Sequence, residues 1–246
     1  MTNSRTSVTI MGIPFIHTTK QEFLEKYLAP RIANQENTFV VTANPEIVMH
    51  AREHPAYKEI VLSADYVVPD GSGILMAAKY QKEPLPERIP GFDLMLDLLD
   101  HAERWGYRCF FLGAEETVNE KMVKEVKHKY PDLKIAGHHH GFFDLDDTEI
   151  AAKVERTNPD IIFVALGFPK QEEWIAKYRQ QFSKGLFIGL GGSFDTIAGV
   201  TKAKRAPQFW ISLNLEWLYR LIKQPTRLKR ILKVFAFMGR VILKRD

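Results

Sequence analysis

Residues 160–192 read DIIFVALGFPKQEEWIAKYRQQFSKGLFIGLGG, and this stretch decides the fold. DIIFVALG is a short β-branched and aromatic run closed by glycine, as a buried strand is. KQEEWIAKYRQQF has helical period, and GLFIGLGG is a second apolar run ending in glycines. A strand, a helix and a strand in this order pair the two strands in parallel, because the helix returns the chain to the starting end of the sheet. The same alternation extends toward the N-terminus. RCFFLG (108–113) and LKIAG (133–137) read as strands, and ETVNEKMVKEVKHKY and DTEIAAKVER as helices. LMLDLLDHAERW (94–105) is amphipathic at helical spacing. TFVVT (38–42) is a strand followed by a helix from Pro45, and YVVP (66–69) is a strand followed by a helix from about Ile74 to Gln81. VTIMGIPFI (8–16) reads as a small hairpin around Gly12. The expected fold is α/β: a Rossmann-like parallel sheet with helices on both faces, a small N-terminal hairpin, and a basic helical C-terminal appendage. The expected division is a body over 1–199 and an appendage over 200–246.

The chain of 246 residues suits one large domain or a domain with an appendage, and its 45% hydrophobic and 26% charged residues are those of a globular protein. Cys109 is the single cysteine, so no intrachain disulfide forms and a reducing compartment is expected. MTNSRTSVTI lacks the apolar core of a secretory signal, and no uncharged apolar run is long enough to span a bilayer. The net charge of +4 is unevenly spread: residues 216–246 hold nine lysines and arginines against two acids. A mildly acidic body thus carries a basic tail, which suits an anionic partner.

In an open parallel sheet, ligands bind at the carboxyl ends of the strands. VVPDGSGI (67–74) sets Asp70 at such an end, before a glycine-rich turn. Asp70 is either a helix cap or a carboxylate held at the mouth of the sheet. Thr42 and Asn44 close a neighbouring strand, and Asn44 is equally suited to capping the helix at Pro45. Gly189, Gly191 and Gly192 resemble a dinucleotide fingerprint only loosely, with Phe194 where a third glycine belongs. His138-His139-His140 has no metal-ligand spacing, and adjacent side chains on a strand point apart. Asp144-Leu-Asp146 matches a metal-binding pattern of glycosyltransferases, but Asp146 and Asp147 precede a helix and read more economically as caps.

Taken together, TANPEIV (42–48), VPDGSGI (68–74), PLPERIPGFDLM (84–95), HHGFFD (139–144), VALGFPKQEEWI (164–175), GGSFDTIAG (191–199) and EWLYRLIKQPTRLKR (216–230) resemble the WecG/TagA/CpsF glycosyltransferases in content and order. The resemblance runs from about residue 8 to 230. It implies inverting transfer of N-acetylmannosamine from a UDP-sugar donor to an undecaprenyl-diphosphate-linked N-acetylglucosamine, as in building the wall teichoic acid linkage unit, with no cofactor and no essential metal. It implies Asp70 as general base, with Thr42 and Asn44 holding sugar hydroxyls or orienting that base. On the nucleotide side it implies Gln171, Gly191, Gly192 and Asp195, where Asp195 is otherwise a cap on a helix beginning at Thr196. Arg88, Arg220, Arg227 and Arg230 are the implied cations for the diphosphates, and guanidinium forks suit phosphate oxygens. Phe142 departs from the family, which commonly has tyrosine there.

Beyond those arginines, Ile231, Val234, Phe235, Met238, Val241 and Ile242 fall at helical spacing between basic residues. Such a segment suits an anionic membrane surface, and the rival reading packs it on the body or against a second copy of the chain. The expected location is therefore cytoplasmic, peripheral on the inner face of the cell membrane. The tail's aromatics belong to an apolar face and offer no stacking platform for nucleic acid. Two alternatives stand beside this reading: a relative using another UDP-hexose or uronic acid, and a non-catalytic nucleotide-sugar-binding protein at the membrane.

Overall fold

Met11 and Gly12 both take positive φ, 49° and 77°, the two-residue turn whose twist suits a hairpin. In the computed structural model, which describes residues 6–200, 209 and 228–243, that turn joins β1 (Ser7–Ile10) to β2 (Ile13–Ile16), antiparallel, with Ser7 opposite Ile16. A helical stretch follows: α1 (Lys20–Glu22), a π-helical segment (Phe23–Leu28) and α2 (Ala29–Ala33). The period of the sequence does not mark this stretch. Pro30 lacks an N–H to donate, and the wider π turn ahead of it absorbs the break.

The remaining strands are β3 (Asn37–Ala43), β4 (Tyr66–Pro69), β5 (Arg108–Gly113), β6 (Lys134–His139), β7 (Ile161–Ala165) and β8 (Gly185–Gly189). They form one six-stranded parallel sheet in the order β4-β3-β8-β7-β5-β6. The helices between them are α3 (Pro45–Glu53), α4 (Pro55–Leu62), α5 (Ser72–Tyr80), α6 (Gly91–Trp105), α7 (Glu116–Lys129), α8 (Thr148–Arg156), α9 (Lys170–Tyr178) and α10 (Ser193–Ile197).

Alternate strand residues feed two cores, one on each face of the sheet. Phe39, Val41, Phe110, Leu112, Ile162 and Val164 meet the hairpin and α3, α4, α5, α8 and α9. Val40, Cys109, Phe111, Ile161 and Phe163 meet the 20–33 stretch, α6, α7 and α10. The Rossmann-like layering expected from the sequence is therefore present. Two boundaries move. The fifth helix starts at Ser72 instead of Ile74, because Gly71, with φ at 132°, turns the chain directly into it. β6 runs on through His139, so the histidine run straddles a strand end.

A last helix, α11 (Leu228–Ile242), packs on α3 and α5. Phe237 and Val241 are buried in the core that those helices cover. Arg240 lies 3.6 Å from Glu53, and the Tyr80 hydroxyl donates to the Ile242 carbonyl at 3.4 Å. Part of the stripe expected to face lipid, Val241 above all, thus faces the body, while Ile242 and Leu243 stay exposed beside Met76 and Tyr80 on the α5 side.

At the amino edge of the sheet, Asp65 ties three elements together. Its Oδ2 accepts from the Phe39 N–H and from Arg179, each at 2.8 Å, and its Oδ1 accepts from Arg31 at 3.1 Å. Asp65→Ala leaves two half-buried guanidiniums and a strand N–H without their acceptor. It is expected to cost about 2–4 kcal/mol in urea unfolding. Because this cluster lies at the edge opposite Asp70, the backbone bond from Asp70 N–H to Ala43 O should survive the substitution, as amide hydrogen exchange would report.

Candidate active site

The carboxyl edge of the sheet opens into a cavity of about 810 Å³. Four loops line it: Ala114 and Glu115 after β5, Gly141 to Asp144 after β6, Ala165 to Gly167 with Lys170 after β7, and Gly191, Gly192 and Asp195 after β8. Backbone bonds stitch these loops together, Ala114 N–H to Ala165 O at 3.0 Å and Gly141 N–H to Ala114 O at 2.7 Å. The approach is so close at Gly113, where φ is 133°, that a Cβ would stand 2.4 Å from the Ala165 carbonyl; only glycine fits. Buried Asn119 holds the same region from behind. Its Nδ2 donates to Gly113 O at 2.8 Å and His139 O at 3.1 Å, and its Oδ1 pairs with His138 Nδ1 at 2.8 Å. One of the three tandem histidines thus already has a side-chain partner in the fold.

Helices α7 and α9 begin at the cavity rim, where the positive end of a helix dipole favours an anion, while the Gln171, Glu172 and Glu173 N–H groups of α9 are already bound to Gly167 O and Pro169 O. Among the described lining side chains, Lys170 is the cation, and Glu115, Asp144 and Asp195 are acids. Carboxylates accept hydrogen bonds from hydroxyls and ring N–H groups, and a lysine with helix N-termini accommodates phosphate. Phe142, 76% exposed, stands at the rim and offers a ring face to whatever enters.

Of the nucleotide-side residues expected from sequence, Gly191, Gly192 and Asp195 line the cavity. α10 begins at Ser193, so Asp195 lies inside its first turn and is not a cap at Thr196; Asp147, in contrast, does cap α8 through the Glu149 N–H. Gln171 sits behind the cavity, 3% exposed, with both ends of its amide engaged: Oε1 accepts from Gly191 N–H at 2.9 Å, and Nε2 donates to Glu172 Oε1 at 2.7 Å. It acts on the cavity through the Gly191 turn. Glu172 is 1% exposed, and burial pushes its carboxyl up to about 7.

The other candidates gather to one side of the cavity. Thr42 is buried at the end of β3, and its hydroxyl donates to Gly189 O on β8 at 3.0 Å. Asn44 caps α3, accepting from Glu46 N–H at 2.8 Å and Ile47 N–H at 3.1 Å. Asp70 follows β4, half-buried, its N–H bound to Ala43 O at 2.9 Å. Its Oδ2 faces the Gly91 N–H at 3.5 Å, at the N-terminus of the fifteen-residue α6, where negative charge is favoured. Asp70 lies two strands from β8, on the order of 10 Å at ordinary strand spacing. Arg88 is half-buried in the loop that Ile89 N–H pins to Pro69 O at 2.8 Å, just beyond β4. Arg220 and Arg227 lie outside the described residues, as does the side chain of Arg230 on α11.

Four residues had no role in the sequence reading, although Lys170 and Glu172 stand in a strand-end run that it singled out. Asn119 gives no signal in a helix that reads as ordinary amphipathic surface. Glu115 and Lys170 stand next to recognisable strand ends, and that adjacency was the available clue. Glu172 looks like one of a charged helix pair until the sheet is seen to cover it.

The chain matches the model of the Glycosyl transferase WecG/TagA/CpsF family over residues 8–246. It is 39% identical over 233 residues to a protein of Bacillus spizizenii (strain ATCC 23059 / NRRL B-14472 / W23), covering 95% of this chain and 90% of that one. It is 41% identical over 236 residues to a protein of Staphylococcus aureus (strain MRSA252), covering 95% and 91%. Both relatives are named N-acetylglucosaminyldiphosphoundecaprenol N-acetyl-beta-D-mannosaminyltransferase. With a family match over nearly its whole length, the chain belongs to the WecG/TagA/CpsF family of glycosyltransferases.

Proposed function

We propose that this chain transfers N-acetylmannosamine from UDP-N-acetylmannosamine to undecaprenyl-diphosphate-linked N-acetylglucosamine, with inversion at the anomeric carbon. The observation that carries this reading is near-full-length likeness to two relatives so named. The geometry supports it. A nucleoside diphosphate laid in the cavity puts phosphate against Lys170 and the start of α7, and offers ribose or uracil to Asp195, Asp144 and Glu115. The sugar then extends past the end of β8 toward β3 and β4. There Asp70 takes the proton of the incoming hydroxyl as its oxygen bonds to the anomeric carbon and the bond to UDP breaks. Thr42 and Asn44 serve this step by holding the ends of β3 and β8 and the start of α3, which frame the Asp70 turn. Arg88, with Arg220, Arg227 and Arg230, neutralises departing diphosphate.

Asp70→Asn is expected to retain UDP binding and to lower turnover of UDP-N-acetylmannosamine with a diphosphate-linked N-acetylglucosamine lipid by about 10²–10⁴-fold. Undiminished turnover removes Asp70 as base. UDP-sugar affinity without turnover in the wild-type protein favours the non-catalytic reading, and a panel of UDP-hexoses and uronic acids decides the sugar.

The reaction is assigned to the inner face of the membrane, with residues 200–246 as the contact. Among the described residues no helix is long and apolar enough to cross a bilayer, Met76, Tyr80, Ile242 and Leu243 expose apolar surface, and Lys244 and Arg245 follow Leu243 in the sequence. Deleting 200–246 is a poor test, since it strips Phe237 and Val241 from the core. Lys244→Glu with Arg245→Glu in the full chain is expected to weaken sedimentation with phosphatidylglycerol vesicles by about tenfold or more. Binding unchanged by this double reversal rules out an electrostatic role for the chain end.

A further inference from the structure

Glu172 is buried in the first turn of α9 with one oxygen engaged and the other not. Oε1 accepts from Gln171 Nε2 at 2.7 Å, while Oε2 has no hydrogen-bond partner. Gln171 spends its remaining oxygen on the Gly191 N–H at 2.9 Å. The pair lies directly on β8: a Cβ added at Gly189 would come within 2.6 Å of Gln171 Nε2 and 3.1 Å of Glu172 Oε1. Carboxyl, amide and turn therefore form one hydrogen-bonded relay from the interior to the cavity wall.

We propose that Glu172 is a positioning residue for this cavity, orienting the Gln171 amide so that its oxygen holds the Gly191–Gly192 turn in place for the ligand. A primary amide can bond either way round, and the partner on one side decides which. An ionised carboxylate only accepts. It therefore calls the NH₂ end of Gln171 to itself and leaves the oxygen for Gly191. A protonated carboxyl can also donate, which permits the reversed amide and leaves the Gly191 N–H without its acceptor. The relay is strongest when Glu172 is charged, because a charged acceptor makes the shorter and stronger bond.

Several groups face this carboxyl. From α4, the buried Tyr57 phenol faces this carboxyl and favours its ionised form, against the larger effect of burial. From α9, Glu173 opposes ionisation. From α3, His50 stacks edge-on against Tyr57 at 4.9 Å and Phe168 at 4.8 Å. β8 contributes the backbone at Gly189. Burial dominates and sets the carboxyl's midpoint near neutrality, at about 7. The sign follows. A raised carboxyl favours the folded chain most below pH 4.5, and that contribution is lost as pH rises through about 7. The relay meanwhile tightens over the same interval, so stability and cavity order run in opposite directions.

The inference rests on the cavity being the donor site only for its effect on activity, and the decisive measurement needs no ligand. In full-length protein carrying ¹⁵N-glycine and side-chain ¹⁵N-glutamine, the Gly191 amide and Gln171 NH₂ resonances are followed from pH 5.5 to 8.5. Both are expected to shift with one midpoint near 7, to stay flat in Glu172→Gln, and to keep their midpoint in His50→Asn. Glu172→Gln can donate as well as accept, as the protonated carboxyl can, so UDP affinity at pH 8 should fall to the wild-type value at pH 6 and no longer change with pH. Its melting temperature should gain on the wild type between pH 5 and pH 8. Resonances that do not move in the wild type, or that move equally in Glu172→Gln, overturn the proposal. If they behave as expected but no UDP-sugar binds, the functional reading fails and the relay stands.

Discussion

The structure depends most on how the carboxyl end of β8 is held. This strand lies between β3 and β7, and four bonds converge on its last turn: Thr42 hydroxyl to Gly189 O, Leu190 N–H to Val164 O, Gly191 N–H to Gln171 Oε1, and Ser193 hydroxyl to Leu190 O. One side of this turn walls the cavity, and the other borders the strands that end at Asn44 and Asp70. A transfer between two sugars needs donor and acceptor held at fixed separation, and a misplacement of about 1 Å can cost a hundredfold in rate. Glycines at 189, 191 and 192 leave no side chains to brace the turn, so hydrogen bonds from neighbouring elements do it.

The strand–helix alternation was legible because a parallel sheet buried on both faces requires near-continuous apolar strands, and DIIFVALG, RCFFLG and GLFIGLGG are such runs. The site was legible only where function sits at strand ends. Asp70, Thr42, Gly191 and Asp195 follow from topology and from a family likeness. Sequence alone could not give the direction of their side chains. Thr42 points its hydroxyl at β8, Asn44 spends its oxygen on α3, and Gln171 turns inward, because each satisfies a backbone group that burial would otherwise strand. The 20–33 stretch stayed hidden for the opposite reason: its π turn breaks the 3.6-residue period by which helices are read.

The charges of the cavity carry a consequence for the tail. Among the described lining residues three acids stand beside one lysine, so the proposed neutralisation of the leaving group draws on Lys170 and on cations outside that lining. Arg88, close to Asp70, is one such cation within the described residues; the others proposed lie in the basic tail.

That tail is not mechanically separate from the chemistry. Val234 of α11 approaches so closely that a Cβ on Gly73 would lie 3.3 Å from its Cγ1, and Gly73 belongs to the turn that carries Asp70. α11 also covers α3, whose N-terminus is fixed by Asn44. A lipid surface that drew on Ile242 and Leu243 would act on a helix already touching the start of α5, next to Asp70, the proposed base. The contact would give the proposed membrane binding a direct route to Asp70, since packed side chains transmit small displacements that a loose tether would absorb. A basic segment that only raised local concentration at the membrane would need no such contact, and its apolar residues Phe237 and Val241 would be spent on lipid instead of on the core.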